Sequence, residues 1–138
     1  MKKMASKHLV INTDGGARGN PGPAGIGLVI KNETGELVYS YGGYIGETTN
    51  NVAEYSALIK ALEESVNLGG TSLLIQMDSE LIVKQMQGVY KIKQPTLQEL
   101  AAKVLTLLKK FESYTFVHVR REFNKEADAL VNQALDAR

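Results

Sequence analysis

The sequence contains no cysteine. That excludes disulfide bridges, thiolate nucleophiles, cysteine-ligated zinc and iron–sulfur clusters. Histidine is scarce: His8 and His118 are the only two, too few for a histidine-rich metal site, and a Ser-His-Asp triad would have to enlist one of them. No apolar run approaches the ~18 residues that a membrane span requires. Leu9-Val10-Ile11, behind the charged start from Met1 to Lys7, is too short for the core of a signal peptide. These absences lead us to expect a soluble, intracellular protein with the cytoplasm as its default place. Repeats, low-complexity tracts and linkers are missing too.

What is present suits one globular domain over residues 1–138. The chain is 43% hydrophobic and 22% charged, enough to bury a core without covalent staples. The net charge of +1 is unevenly spread. Residues 31–80 hold two basic and eight acidic side chains, whereas residues 84–125 hold nine basic and three acidic ones. A basic face beside an acidic one suits a polyanion held against a metal site; two solvated helix surfaces would give the same imbalance.

The hydrophobic period divides the chain in two. Strands are predicted over His8–Thr13, Gly25–Lys31 and Glu36–Ile45, with Asp14-Gly15-Gly16 ending the first and Asn32-Glu33-Thr34-Gly35 turning between the second and third. From Asn51 to Leu68 the period becomes helical, through Tyr55, Leu58, Ile59, Leu62 and Val66, until Gly69-Gly70. A strand over Thr71–Met77 follows, then a short helix over Ser79–Gln87 capped by Ser79, and a helix opened by Pro95-Thr96. A fifth strand over Tyr114–Val119 precedes a last helix, capped by Asn124 and packed through Ala127, Leu130, Val131 and Ala134. This is an α/β chain of order βββαβααβα. Hairpins make the first three strands antiparallel, and helical crossovers make the later ones parallel. The simplest result is a five-stranded mixed sheet of order 3-2-1-4-5 with helices on both faces. Its first and fourth strands are left in opposite directions, which opens a crevice at their carboxyl ends.

Asp14 and Asp78 follow directly on those two strands, so the expected sheet sets them side by side at the crevice. Two bare aspartates there raise each other's pKa, and a divalent cation removes the conflict. Oxygen-only ligands suit Mg²⁺ or Mn²⁺. Glu54 opens the long helix near its buried stripe, and Asp128 lies early in the last helix at the edge of its packing face. Each acid has an ordinary explanation alone. Glu54 fits the N3 place of a capping box with Asn51 as N-cap, Asp128 and Asp78 suit helix N-termini, and Asp14 suits a turn. Their joint placement at one sheet edge is what points to chemistry. Four carboxylates with two divalent ions nearly cancel in charge, the makeup of two-metal phosphoryl transfer.

Four segments carry a resemblance. They are Thr13-Asp14-Gly15-Gly16-Ala17-Arg18-Gly19-Asn20-Pro21-Gly22-Pro23-Ala24-Gly25-Ile26-Gly27, Thr48-Thr49-Asn50-Asn51-Val52-Ala53-Glu54-Tyr55-Ser56-Ala57-Leu58, Asp78-Ser79, and Asn124-Lys125-Glu126-Ala127-Asp128-Ala129-Leu130. In this order, spanning nearly the whole chain, they resemble type 1 ribonuclease H. The resemblance implies a metal set of Asp14, Glu54, Asp78 and Asp128, two ions, and endonucleolytic hydrolysis of the RNA strand of an RNA/DNA hybrid, leaving 5′-phosphate and 3′-hydroxyl ends. It also implies that Asn20, Asn50 and Asn51, with backbone near Gly15, Gly16 and Ala17, read RNA 2′-hydroxyls, that Thr49 seats a DNA phosphate, and that Ser79 borders the substrate. No protein partner is implied, and a monomer can hold the whole site. A non-catalytic hybrid-binding module would need a broken acidic set, and another two-metal nuclease or integrase-like transferase would lack Thr49-Asn50-Asn51.

Two departures stand out. Many relatives carry a basic, tryptophan-containing protrusion after the third motif. Here Gly88 to Gln94 is a short link holding Tyr90, Lys91 and Lys93, and the chain has no tryptophan, so the grip on hybrid is expected to be weaker and more salt-sensitive. Many relatives also carry a mobile histidine before the last helix. That loop here reads Arg120-Arg121-Glu122-Phe123. His118 is expected inside the last strand, and Arg121 or Glu122 is the candidate for assisting product release or proton shuttling.

Overall fold

The protein is described by a computed structural model covering residues 6–138. The charged start up to Ala5, weighed above as a signal segment, lies outside the described residues. The chain runs β1 (His8–Ala17), β2 (Gly22–Lys31), β3 (Leu37–Thr48), α1 (Asn50–Asn67), β4 (Ser72–Met77), α2 (Glu80–Met86), α3 (Pro95–Leu108), β5 (Ser113–His118), a 3-10 turn (Arg121–Phe123) and α4 (Lys125–Asp136). The sheet order is β3-β2-β1-β4-β5, as expected. The first three strands pair antiparallel, and β4 pairs parallel with both β1 and β5. No described helix is long and apolar enough to cross a membrane.

The core fills one face of the sheet. Leu9 and Ile11 of β1, Leu28 and Ile30 of β2, Leu73, Ile75 and Met77 of β4 and Phe116 of β5 are buried together there. They meet Tyr55, Leu58 and Leu62 of α1 and Leu97, Ala101 and Val104 of α3. Alternation along each strand produces this face, and the stripe of α1 covers it. The opposite face, across β1, β2 and β3, is covered by α4 through Ala127, Val131 and Leu135. Leu135 takes the place expected for Ala134.

That second contact is close because the strands beneath α4 are glycine-rich. A Cβ on Gly27 would lie 2.2 Å from the carbonyl oxygen of Ala127, and one on Gly42 would lie 2.8 Å from that of Leu130. Neither glycine has a positive φ. They are needed for the approach of a helix backbone, not for a turn.

Five local expectations are corrected. The first strand does not end before Asp14: β1 continues through Asp14-Gly15-Gly16 to Ala17, because β2 begins early, at Gly22, and pairs with it residue for residue. Gly22 and Pro23 therefore belong to a strand rather than to the loop, and β3 runs on to Thr48. The N-cap of α1 is Thr49, whose hydroxyl accepts from the Val52 amide at 3.3 Å, not Asn51. Glu54 then lies beyond the reach of a capping box. Asn124 stands at the N-cap position of α4 but makes no side-chain cap bond. Its Oδ1 accepts from the Asn12 side chain instead, at 3.1 Å.

Candidate active site

Sheet register brings two acids together. Thr13 of β1 pairs with Met77 of β4, so the next residue on each parallel strand is an aspartate. There β4 stops and β1 continues. The first turns of α1 press against that continuation: a Cβ on Gly15 would lie 2.3 Å from the carbonyl carbon of Ala53 and 2.6 Å from the Glu54 nitrogen. Only a glycine lets the helix come so near, and this approach delivers Glu54 to Asp14.

One carboxylate oxygen from each of Asp14, Glu54 and Asp78 falls within 4.8 Å of the others. Asp128 stands outside this tight trio but beside Asp14, and with it lines a cavity of about 530 Å³. All four acids expected from the sequence therefore share one site. Burial, followed by the charge of Asp78 and the nearness of Asp128, pushes the Asp14 carboxyl up to about 7. Glu54 is raised well above the ordinary carboxylate range, chiefly by burial and then by Asp14 and Asp78, with the Gly15 amide acting against the rise. Its Oε2 is buried without a hydrogen-bond partner. An orphaned carboxylate oxygen among other carboxylates is costly as protein alone. The donors are hard oxygens facing a common point, and they fit a divalent cation such as Mg²⁺ or Mn²⁺.

The neighbouring polar residues fall into two groups. Gly15, Gly16, Ala17, Asn50, Asn51 and Ser79 line the cavity with the acids. Asn20 and Thr49 do not line it. Asn20 accepts the Asn50 backbone amide on Oδ1 at 3.0 Å, and Asn50 accepts the Ala17 amide on Oδ1 at 2.7 Å. Both acceptor oxygens are thus engaged inside the protein, which leaves the NH₂ groups as the donors still to be matched. Ser79 caps α2, accepting from the Ile82 amide at 3.3 Å.

The loop before α4 divides its two candidates. Arg121 lines the acidic cavity, with Nε 3.9 Å from Asp78 Oδ2. Glu122 does not; it faces a neighbouring cavity and lies 3.8 Å from Arg120. His118 is the last residue of β5, as expected, 3.8 Å from Glu80.

Known proteins share this fold. A family model described as "Reverse transcriptase-like" matches residues 12–134. The N-terminal ribonuclease H domain of a Mycobacterium tuberculosis protein matches with a TM-score of 0.93 and 43% identity over 96% of each chain. RNase H1 from the halophilic archaeon Halobacterium salinarum gives 0.90 and 40%, over 97% of this chain and 100% of that one. LC11-RNase H1, isolated from compost and solved in complex with RNA/DNA hybrid, gives 0.89 and 54%, over 94% and 97%.

The chain belongs to the type 1 ribonuclease H family.

It spans only part of its curated relatives: 36% of a bifunctional M. tuberculosis protein, at 44% identity over 130 residues, and 62% of ribonuclease HI from H. salinarum, at 42% identity over 123. As a type 1 ribonuclease H it keeps the short link from Gly88 to Gln94 between α2 and α3. The sequence reading missed three residues around the site. Arg18 and Asn132 line the cavity, and Arg18 pairs with Asp136 at 2.7 Å. Asn132 lies one helical turn after Asp128, a spacing that puts both on one face and was the available signal. Asn124 was read only as a cap.

Proposed function

We propose that this chain hydrolyses the RNA strand of RNA/DNA hybrids as an endoribonuclease. The observation that carries the reading is the convergence of Asp14, Glu54 and Asp78 oxygens within 4.8 Å, with the buried Glu54 Oε2 unpartnered. It is supported by 54% identity to an RNase H1 solved on hybrid. Asp14, Glu54, Asp78 and Asp128 would hold two divalent ions, Mg²⁺ or Mn²⁺. Such ions, when bound, acidify an attacking water and stabilise the leaving 3′-oxygen, giving 5′-phosphate and 3′-hydroxyl ends.

The protein's own groups supply position. The free amide donors of Asn20, Asn50 and Asn51 meet 2′-hydroxyls, which accept and donate and which DNA lacks. Gly15, Gly16 and Ala17 leave their backbone open to close approach by the sugar edge. Thr49 and Ser79 hold the two helix starts that carry Glu54 and border Asp78, and Thr49 would seat a DNA phosphate. One chain carries every group named, so a monomer suffices.

The test is cleavage of 5′-labelled RNA in a hybrid, beside double-stranded RNA and double-stranded DNA of the same sequence, with Mg²⁺ and Mn²⁺ titrated separately. Cleavage of the hybrid RNA alone, or foremost, is expected. Binding without cleavage would make the chain a hybrid-binding module; equal cleavage of DNA would make it a different two-metal nuclease.

A further inference from the structure

Two guanidinium groups line the acidic cavity among the described residues, Arg18 and Arg121. Arg18 is already matched by Asp136 at 2.7 Å. Arg121 faces the acids themselves, with Nε 3.9 Å from Asp78 Oδ2. Its main chain is held, because the amide of buried Asn124 donates to the Arg121 carbonyl at 2.9 Å. Its side chain is 83% exposed, against 10% for Asp78. A held main chain thus carries a long, solvent-exposed cation to the mouth of a crowded anionic site. At 3.9 Å the contact is a single, partly solvated ion pair rather than a bidentate clamp, so it is easily broken.

We propose that Arg121 is the built-in counter-ion of the metal site, and that it sets the affinity for divalent cations by competing with them at Asp78. This rests on the reading of the acids as metal ligands. A guanidinium and a divalent ion cannot both stand against the same carboxylate edge without repelling each other. Metal entry therefore requires Arg121 to swing outward, which its exposure permits. Arg120, the adjacent cation, is paired with Glu122 and lines neither acid. It provides an internal control for charge alone.

Mn²⁺ binding to the full chain without nucleic acid tests this, followed by the paramagnetic resonance of free Mn²⁺ at low ionic strength. Arg121→Ala is expected to bind Mn²⁺ about two- to fivefold more tightly than wild type, the range of a partly exposed ion pair, with the gap closing in high salt. Arg121→Lys is expected to stay near wild type, and Arg120→Ala to change nothing. Equal or weaker binding by Arg121→Ala, or the same gain from Arg120→Ala, overturns the counter-ion role while leaving the metal site standing. No Mn²⁺ uptake by any of these proteins overturns the metal reading and this inference together.

Discussion

Asn124 donates from its side-chain amide to the carbonyl oxygen of Thr13 at 2.9 Å, across 111 residues of sequence. The same side chain accepts from Asn12 at 3.1 Å, and it is almost wholly buried. Thr13 immediately precedes Asp14, and Asn124 accepts the Asp128 backbone amide in the first turn of α4. One residue thus ties the strand carrying the first acid to the helix carrying the fourth. Asn124→Ala leaves a buried carbonyl without its donor and is expected to cost about 1–3 kcal/mol of stability in urea unfolding. Because Asp128 depends on this tie, the variant is also expected to bind Mn²⁺ more weakly. Loss of stability with unchanged metal affinity would make the tie merely structural.

Close backbone approach yields a second prediction. In Gly15→Ala and Gly27→Ala the new Cβ would meet main-chain atoms at 2.3 and 2.2 Å, and a helix must retreat. Each is expected to lose about 1–3 kcal/mol or more through overpacking, together with hybrid cleavage, since α1 carries Glu54 and α4 carries Asp128. Gly35→Ala is the contrast. Its φ of +84° is strained for alanine, but nothing lies near the added methyl. It is expected to lower the melting temperature and leave cleavage per folded molecule unchanged.

The raised acids make the metal-free protein pH-sensitive. The folded-state pKa of Asp14 lies near 7, above its ordinary 3.8, and that of Glu54 is raised in the same direction. The native state therefore binds more protons than the unfolded chain between about pH 4 and 7, and stability falls as pH rises through that window. Each carboxylate contributes a slope of at most about 1.4 kcal/mol per pH unit. Unfolding in EDTA is expected to be easier at pH 8 than at pH 5, and Asp14→Asn to flatten the trend. A metal-free protein that grows more stable from pH 5 to 8 would contradict the raised pKa values.

Substrate discrimination is assigned to amide donors, and Asn51 is the cleanest to remove. It lines the cavity in the first turn of α1, where alanine is a good helix former. Asn51→Ala is expected to raise KM for hybrid about tenfold, the loss of roughly one hydrogen bond, with unfolding free energy unchanged to within about 0.5 kcal/mol. An unaltered KM would remove the residue from 2′-hydroxyl recognition.

Strand order was readable from connection type: hairpin turns gave the antiparallel half, and helical crossovers gave the parallel half. The placement of Asp14 beside Asp78 followed from that order alone. The end of β1 was not readable, because Gly15-Gly16 carries no side chain to show alternation and looks like a turn. Only the packing of α1 onto Gly15 shows why glycine stands there. The type of Asn124 suited a cap, and a tertiary donor, the Asn12 side chain, invisible in one dimension, claimed its Oδ1 instead. Arg121 and Glu122 sit in a 3-10 turn of three residues, too short for any periodic signal. Sequence could not tell which of them faces the acids.

Action of the clustered carboxylates through divalent cations is tested most directly by cleavage of labelled RNA/DNA hybrid by wild type and Asp78→Asn, each with Mg²⁺ and with excess EDTA. Wild type with Mg²⁺ is expected to cut the RNA strand, and the other three conditions to leave it intact. Cleavage that survives EDTA, or that persists in Asp78→Asn, would contradict the claim.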